Sequence, residues 1–248
     1  MTTALVLGGA TGIGGAIARA LAARGDRVVV ADRNADAGRE LVKSIGSSQA
    51  LFVQCDLEND SASADAVVAA TEFSNGELDD LVYTAGLLEA MPLAAWSRSA
   101  WDRSLAVNLT APFFAVQAAR SALASSPRGR VILTSSTGAL RGHAGMPAYH
   151  ASKAGMLGLM RSLADELAID GTTVNSILPG WIDTPFNDTY WSHQADPDAA
   201  LTALESSIPL KRQGVPDEVT GAVLFLASSQ SSYITGQSIV IDGGFTAV

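Results

Sequence analysis

Short apolar runs recur along the chain, and each is followed by a stretch with helical spacing of its apolar residues. Residues 3–7 (TALVL) read as a buried strand, and residues 13–24 (IGGAIARALAAR) as a helix stopped at Gly25. VVVA at 28–31 is the next strand, and 35–45 the next helix. ALFVQ at 50–54 predicts a third strand, with a helix near 60–74. LDDLVYT at 78–84 supplies a fourth strand, followed by one long helix over 101–125 that Ser-Ser-Pro stops. RVILTSS at 130–136 is the fifth, and a long helix over 150–169 tolerates Gly155 and Gly158. TTVNSIL at 172–178 is the sixth, stopped by Pro179-Gly180. A late helix at 216–228 and a strand at 237–241 (QSIVI) complete the series.

The strands lack strict polar alternation, so both of their faces are buried and helices cover both sides. Strand–helix repetition then gives an α/β fold with a mostly parallel sheet and right-handed crossovers. No linker or low-complexity tract divides residues 1–248, so a single domain is expected. Residues 183–215 break the rhythm and are too long for an ordinary connection. Their Pro, Phe, Tyr and Trp content predicts a folded lid or substrate wall.

Composition narrows the function classes. Of 248 residues, 48% are hydrophobic and 17% charged, an ordinary globular balance. The formal net charge of −9 argues against nucleic-acid or anionic-membrane partners. It leaves room for a phosphate-bearing cofactor, because backbone N–H groups hold phosphate without basic side chains. The single cysteine, Cys55, forms no internal disulfide, and His143, His150 and His193 show no metal-ligand spacing. No metal is expected. Without a secretory pattern or an apolar run of about 20 residues, no membrane span is expected, and a reduced cytoplasmic setting fits.

Gly8, Gly12 and Gly14 sit at the first strand–helix turn, spaced G-x-x-x-G-x-G. Glycine there lets a ligand approach the backbone, and the following helix start offers N–H donors to a pyrophosphate. A tight turn without a ligand is the other reading. Asp32 ends the second strand, where a carboxylate accepts from the adenine-ribose hydroxyls and repels the extra phosphate of NADP. Arg33 is an opposing signal. Thr11 brings no positive charge there, and NAD is favoured. Asp56 and Leu57 follow the third strand as candidate adenine contacts, with a solvated turn as the alternative. Cys55 reads as core filler. Ala85-Gly86 lets the chain pass close to the cofactor.

Ser136 ends the fifth strand at the carboxyl edge, where open parallel sheets place their ligands. Tyr149 and Lys153 stand four residues apart on one helix face. Tyrosine is a poor base at its ordinary value of about 10, and a neighbouring ammonium lowers it. Tyr149 then exchanges the proton of an alcohol–ketone pair, while Ser136 orients the substrate oxygen. Asn108 lies inside the long helix, where a distortion held by a water would link it to Lys153; a partly exposed polar residue is the alternative.

The ordered combination resembles the short-chain dehydrogenase/reductase family over essentially the whole chain. LGGATGIG (7–14), ADR (31–33), CDL (55–57), VNLTAPF (107–113), ILTSS (132–136), YHASK (149–153), PGWIDT (179–184) and ITGQSIVIDGG (234–244) carry the likeness. It implies a single-domain Rossmann fold with a seven-stranded parallel sheet, and a catalytic tetrad of Asn108, Ser136, Tyr149 and Lys153. It implies cofactor contacts from Gly8, Thr11, Gly12, Ile13, Gly14, Asp32, Arg33, Asp56, Leu57, Ala85, Gly86, Tyr149, Lys153, Pro179, Gly180, Ile182 and Thr184. A homotetramer is the common assembly, with Tyr233, Phe245 and Val248 at an interface or packed within one subunit. The chain departs from the family at Leu7, where Thr is usual, and at YTAG (83–86), where NNAG is common. Tyr83 and Thr84 must satisfy that region differently.

Three regions are expected to form the substrate pocket: 87–96, 138–147 and the insertion. Leu88, His143, Met146, Phe186, Tyr190 and Trp191 are the candidate lining residues. Tyr190 and Trp191 line a ring site, hold a lid shut or meet another subunit. His143 binds a substrate hydroxyl or is solvated, and His150 is expected to face away. The function expected is hydride transfer between NAD(H) and a secondary alcohol or ketone. The alternatives are an NAD(P)H-dependent reductase of 3-oxoacyl groups or other ketones, and a non-redox or noncatalytic NAD-binding protein.

Overall fold

The computed structural model describes residues 1–248 throughout. Seven strands form one parallel sheet: β1 (Thr3–Leu7), β2 (Arg27–Asp32), β3 (Ala50–Gln54), β4 (Asp80–Tyr83), β5 (Arg130–Thr134), β6 (Thr173–Pro179) and β7 (Ser238–Ile241). Their spatial order is β3-β2-β1-β4-β5-β6-β7, and every neighbouring pair is parallel. The sheet order reverses between β1 and β4, which opens a crevice at the carboxyl ends of those strands.

Strand side chains divide between two cores. Leu5, Leu7, Val29, Ala31, Leu81 and Tyr83 face one, while Ala4, Val6, Val28, Val30 and Val82 face the other. Helices α3 (Ala62–Phe73), α5 (Ala111–Ser125) and α6 (Pro147–Leu167) cover the first face. Helices α1 (Gly12–Ala23), α2 (Ala35–Ile45) and α9 (Asp217–Leu226) cover the second. Period-two alternation with both faces buried explains the unbroken apolar runs.

Two elements differ from the sequence expectation. The long helix over 101–125 is broken into α4 (Arg98–Leu105) and α5 by a π-helical turn at Ala106–Thr110. It starts earlier because the Ser97 hydroxyl caps it, accepting from Ala100 N–H at 3.1 Å. The helix expected from residue 150 begins at Pro147, since proline suits the first helical turn. Tyr149 therefore stands in that first turn. The 183–215 insertion is folded, with helices α7 (Asp188–Trp191) and α8 (Pro197–Ser207). No helix is long and apolar enough to cross a membrane.

Candidate active site

The crevice is shaped by glycines, two of which cannot take a Cβ without collision. Gly8 has φ +80°, and a Cβ there would stand 2.4 Å from Ala85 N. A Cβ on Gly14 would meet the Gly8 carbonyl at 2.0 Å, so α1 seats directly on the turn. Gly12 has φ +51° and nothing nearer a Cβ than Thr184 at 3.4 Å. The backbone at the start of α1 is thus open to a ligand, with its first N–H groups unpaired by the helix.

A cavity of about 380 Å³ follows from this turn to the end of β5. Gly8, Thr11, Gly12, Ile13, Gly14, Asp32, Arg33, Asp56, Leu57, Ala85 and Gly86 line one end of it, and Ser136, Tyr149, Lys153, Pro179, Gly180, Ile182 and Thr184 the other. The cavity therefore gathers the sequence-derived cofactor residues into one elongated cleft. Asp32 is held in place by backbone donors: Oδ2 accepts from Ala10 N–H at 3.0 Å and Oδ1 from Asn34 N–H at 2.9 Å. Asp56 Oδ1 accepts from Glu58 N–H at 3.2 Å. Cys55 is buried, and burial with nearby Asp32 and Asp56 pushes its thiol up to about 12, as suits an inert core group. A long cleft with a glycine turn, a helix start and a carboxylate at the second strand end fits a dinucleotide.

The departures from the family pattern find partners. The Tyr83 phenol is fully buried and donates to Val107 O at 2.6 Å, inside the π-helical turn. The Thr84 hydroxyl lies 2.9 Å from Leu7 O and 3.0 Å from Gly8 O, tying β4 to the glycine turn.

Asn108 is fully buried, not a partly exposed helix residue. Its Oδ1 accepts from Leu87 N–H at 2.7 Å, and its Nδ2 donates to Leu87 O at 2.9 Å and Ser152 Oγ at 3.1 Å. The helix distortion foreseen around it is present, and the side chain's direct partners are Leu87 and Ser152. It therefore fixes the segment after β4 that borders the cleft. The Lys153 ammonium donates to Thr134 O at 2.8 Å and lies 5.7 Å from the Tyr149 ring centroid.

Electrostatics here also differ from expectation. Burial raises the Tyr149 phenol above its ordinary value, while a hydrogen bond from Ser136 pulls the other way. Burial pushes Lys153 down to about 7. Desolvation penalises both charged forms, so the Tyr149 phenol is raised where a lowering by the ammonium was expected.

A smaller cavity of about 50 Å³ adjoins the cleft. Ser136, Tyr149, Gly180, Phe186 and Asn187 line both spaces, so the hydroxyl and phenol stand where they meet. Leu88, His143 and Met146 line the small cavity as anticipated for a substrate space. Tyr190 and Trp191 do not. Tyr190 packs behind the wall against the Leu88–Ala90–Met146 cluster, and Trp191 lies 5.4 Å from the Trp181 ring. His150 was expected to face away, yet it lines this cavity. The loop after β5 folds back over α6, so His150 lies 2.8 Å from Gly138 O and accepts from His143 N–H at 2.9 Å. Trp181, Thr137 and Asn187 also belong to the wall. Trp181 and Asn187 follow the proline that ends β6, a position that points to the same strand edge.

Comparison with known proteins agrees with this architecture. Residues 8–246 match the family model described as Enoyl-(Acyl carrier protein) reductase. The chain is 35% identical to the 3-oxoacyl-(acyl-carrier-protein) reductase FabG of Rickettsia bellii, over 99% of this chain and 97% of that protein. It is 35% identical to the D-threitol dehydrogenase of Mycolicibacterium smegmatis, over 98% of this chain and 92% of that one. The solved structure of the TT0495 protein from Thermus thermophilus superposes with a TM-score of 0.86 at 34% identity, covering 100% of both chains. On its motifs, its sheet order and these full-length likenesses, the chain belongs to the short-chain dehydrogenase/reductase family of oxidoreductases.

Proposed function

We infer that the protein transfers hydride between NAD(H) and a secondary alcohol or ketone. The observation that carries this is the junction of the two cavities at Ser136 and Tyr149. A nicotinamide bound in the cleft supplies the hydride acceptor or donor. Ser136 holds the substrate oxygen, and Tyr149 takes the hydroxyl proton as C=O forms, or returns it on reduction. Lys153 anchors the floor beside Tyr149. Asn108 acts through Leu87, as a positioning group. Asp32 supports NAD over NADP, since a ribose phosphate would meet a carboxylate already fixed by two backbone bonds. Arg33 lines the same end, and a parallel assay with NADP measures its weight. The names of relatives favour neither direction: one is a reductase of oxoacyl groups and one a polyol dehydrogenase.

Tyr149→Phe tests the reading. NADH formation should fall by about 100-fold or more, while NAD still binds and the variant still folds. Turnover undiminished in the variant defeats the role of Tyr149; turnover faster with NADP defeats the cofactor preference.

A homotetramer belongs to the same proposal. Phe113 and Phe114 stand exposed on α5, edge-on at 5.1 Å, and Tyr233 and Val248 are fully exposed near the chain end. Apolar groups placed so are suited to covering by other copies. Sedimentation at assay concentration should give four chains per particle; a monomer would remove this part of the proposal.

A further inference from the structure

The small cavity beside Ser136 and Tyr149 has no Asp, Glu, Lys or Arg in its wall. A substrate carboxylate brought there would lose its water and meet no cation, a costly exchange. Arg141 is the nearby guanidinium on the same loop, and it is engaged elsewhere. It lies 4.2 Å over the Phe245 ring and donates to Phe245 O at 3.1 Å.

Beside Ser136 and Tyr149, the wall carries polar groups with spare hydrogen-bonding capacity, His143 and Asn187 among them. The backbone N–H of His143 goes to His150, but neither ring nitrogen of His143 bonds to the protein. The ring is still fixed in place. It stacks on Phe245 at 6.3 Å and His150 at 5.9 Å, and meets Trp181 edge-on at 5.7 Å. Burial, with His150 and Arg141 beside it, lowers its proton affinity and favours the neutral ring, which has one donor and one acceptor. Asn187 gives its Nδ2 to Ile182 O at 2.7 Å, which leaves Oδ1 free to accept. His150 has no such capacity, because both of its ring nitrogens are engaged.

A hydroxyl both donates and accepts, and so matches a cavity lined by a neutral imidazole and an amide oxygen. The cavity's 50 Å³ holds about four water-sized positions. This small space beyond the Ser136–Tyr149 junction suits a second hydroxyl close to the reacting one. We propose that the substrate is a compact, uncharged alcohol bearing a second hydroxyl close to the reacting one, and that His143 binds that second hydroxyl. The proposal rests on the alcohol–ketone reading above.

The test uses the full chain with NAD and matched probes: sec-butanol, vicinal butanediol and lactate, then cyclohexanol and vicinal cyclohexanediol. In the wild type, kcat/KM for each diol should exceed that for its mono-alcohol by at least about tenfold, and lactate should be the poorest substrate. His143→Phe keeps an aromatic ring in the stack and should bring the diol-to-mono-alcohol ratio to about one. His143→Gln, which keeps a donor and an acceptor, should restore part of the ratio. A change in this ratio reports recognition of the second hydroxyl, which a purely structural histidine would not alter. The proposal is overturned by a wild-type ratio near one, by lactate outrunning the diols, or by a ratio preserved in His143→Phe. In those cases NADH still forms and the redox reading stands. No NADH from any probe, with NAD bound, overturns both. The wild-type ranking decides the substrate class even if a variant fails to fold.

Discussion

In the proposed reaction, Tyr149 carries its proton in the right place for one direction and the wrong place for the other. Burial holds the phenol above its ordinary value, so it stands protonated at neutral pH, ready to donate to a ketone oxygen. Alcohol oxidation needs the phenolate instead. Lys153, pushed down to about 7 by the same burial, leaves an amine lone pair partly available near neutrality. Oxidation kcat/KM should climb as pH rises from about 7 to about 10, because each step deprotonates more Tyr149. Ketone reduction should hold level over that range and fail only at higher pH. Paired pH profiles of the two directions check this, and an oxidation profile falling over the range would show that another group supplies the base. That Ser136, Tyr149 and Lys153 border one cleft was legible in the sequence from their spacing and order. Their proton affinities were not. The i,i+4 spacing suggested a charged pair, whereas the fold desolvates both members and sends the ammonium to Thr134 O.

The π-helical turn at Ala106–Thr110 shows how one element serves another. A π-helical turn widens the backbone spiral and disturbs the regular i→i−4 bonding. Tyr83 reaches from β4 to satisfy the Val107 carbonyl, and Asn108 in the same turn grips Leu87 after β4. Strand and distorted helix are therefore locked at two points on either side of the cleft border. Tyr83→Phe removes the first lock and leaves a buried carbonyl without its partner. It should cost roughly 1–3 kcal/mol of stability and lower kcat/KM on the order of tenfold through the loosened Asn108 segment. Thermal melts and steady-state rates together decide it: a variant as stable and as active as wild type would make this bond dispensable. Element order and sheet composition were legible from periodicity alone, because strands buried on both faces read as unbroken apolar runs. The π-helical turn left only the placement of Asn108 as a sequence signal. The exchange of two asparagines for Tyr83 and Thr84 announced altered partners without saying which. The folding-back of the loop that brings His150 into the wall of the small cavity is a long-range effect, and helix phase alone gave the opposite orientation.

At the scale of the whole molecule, the edge of the sheet opposite the cleft is held by buried charge. Asp80 opens β4 fully buried, and its Oδ2 meets Arg128 at 2.7 Å and Arg24 at 3.1 Å. The two guanidiniums also donate to Ala227 O just after α9, at 2.5 Å and 3.1 Å, so the cluster joins α1, α9 and the sheet. Asp80 Oδ1 has no partner. Burial is the dominant influence and raises the carboxyl to about 7, against the opposite pull of Arg128 and Arg24. The unfolded chain releases this proton near the ordinary carboxylate value of about 4. Between these values the folded protein binds more protons than the unfolded one, so stability falls as pH rises. The contribution is complete below about pH 4 and is lost as pH passes through about 7. Other carboxylates add their own acid-side losses, so the measurable quantity is the difference between wild type and Asp80→Asn, which cannot ionise. The melting temperature of wild type relative to Asp80→Asn should decline from about pH 5 to about pH 8 and then level off. A flat difference over that interval would mean that the two guanidiniums keep Asp80 ionised throughout, and that pairing, not burial, governs the far edge of the sheet.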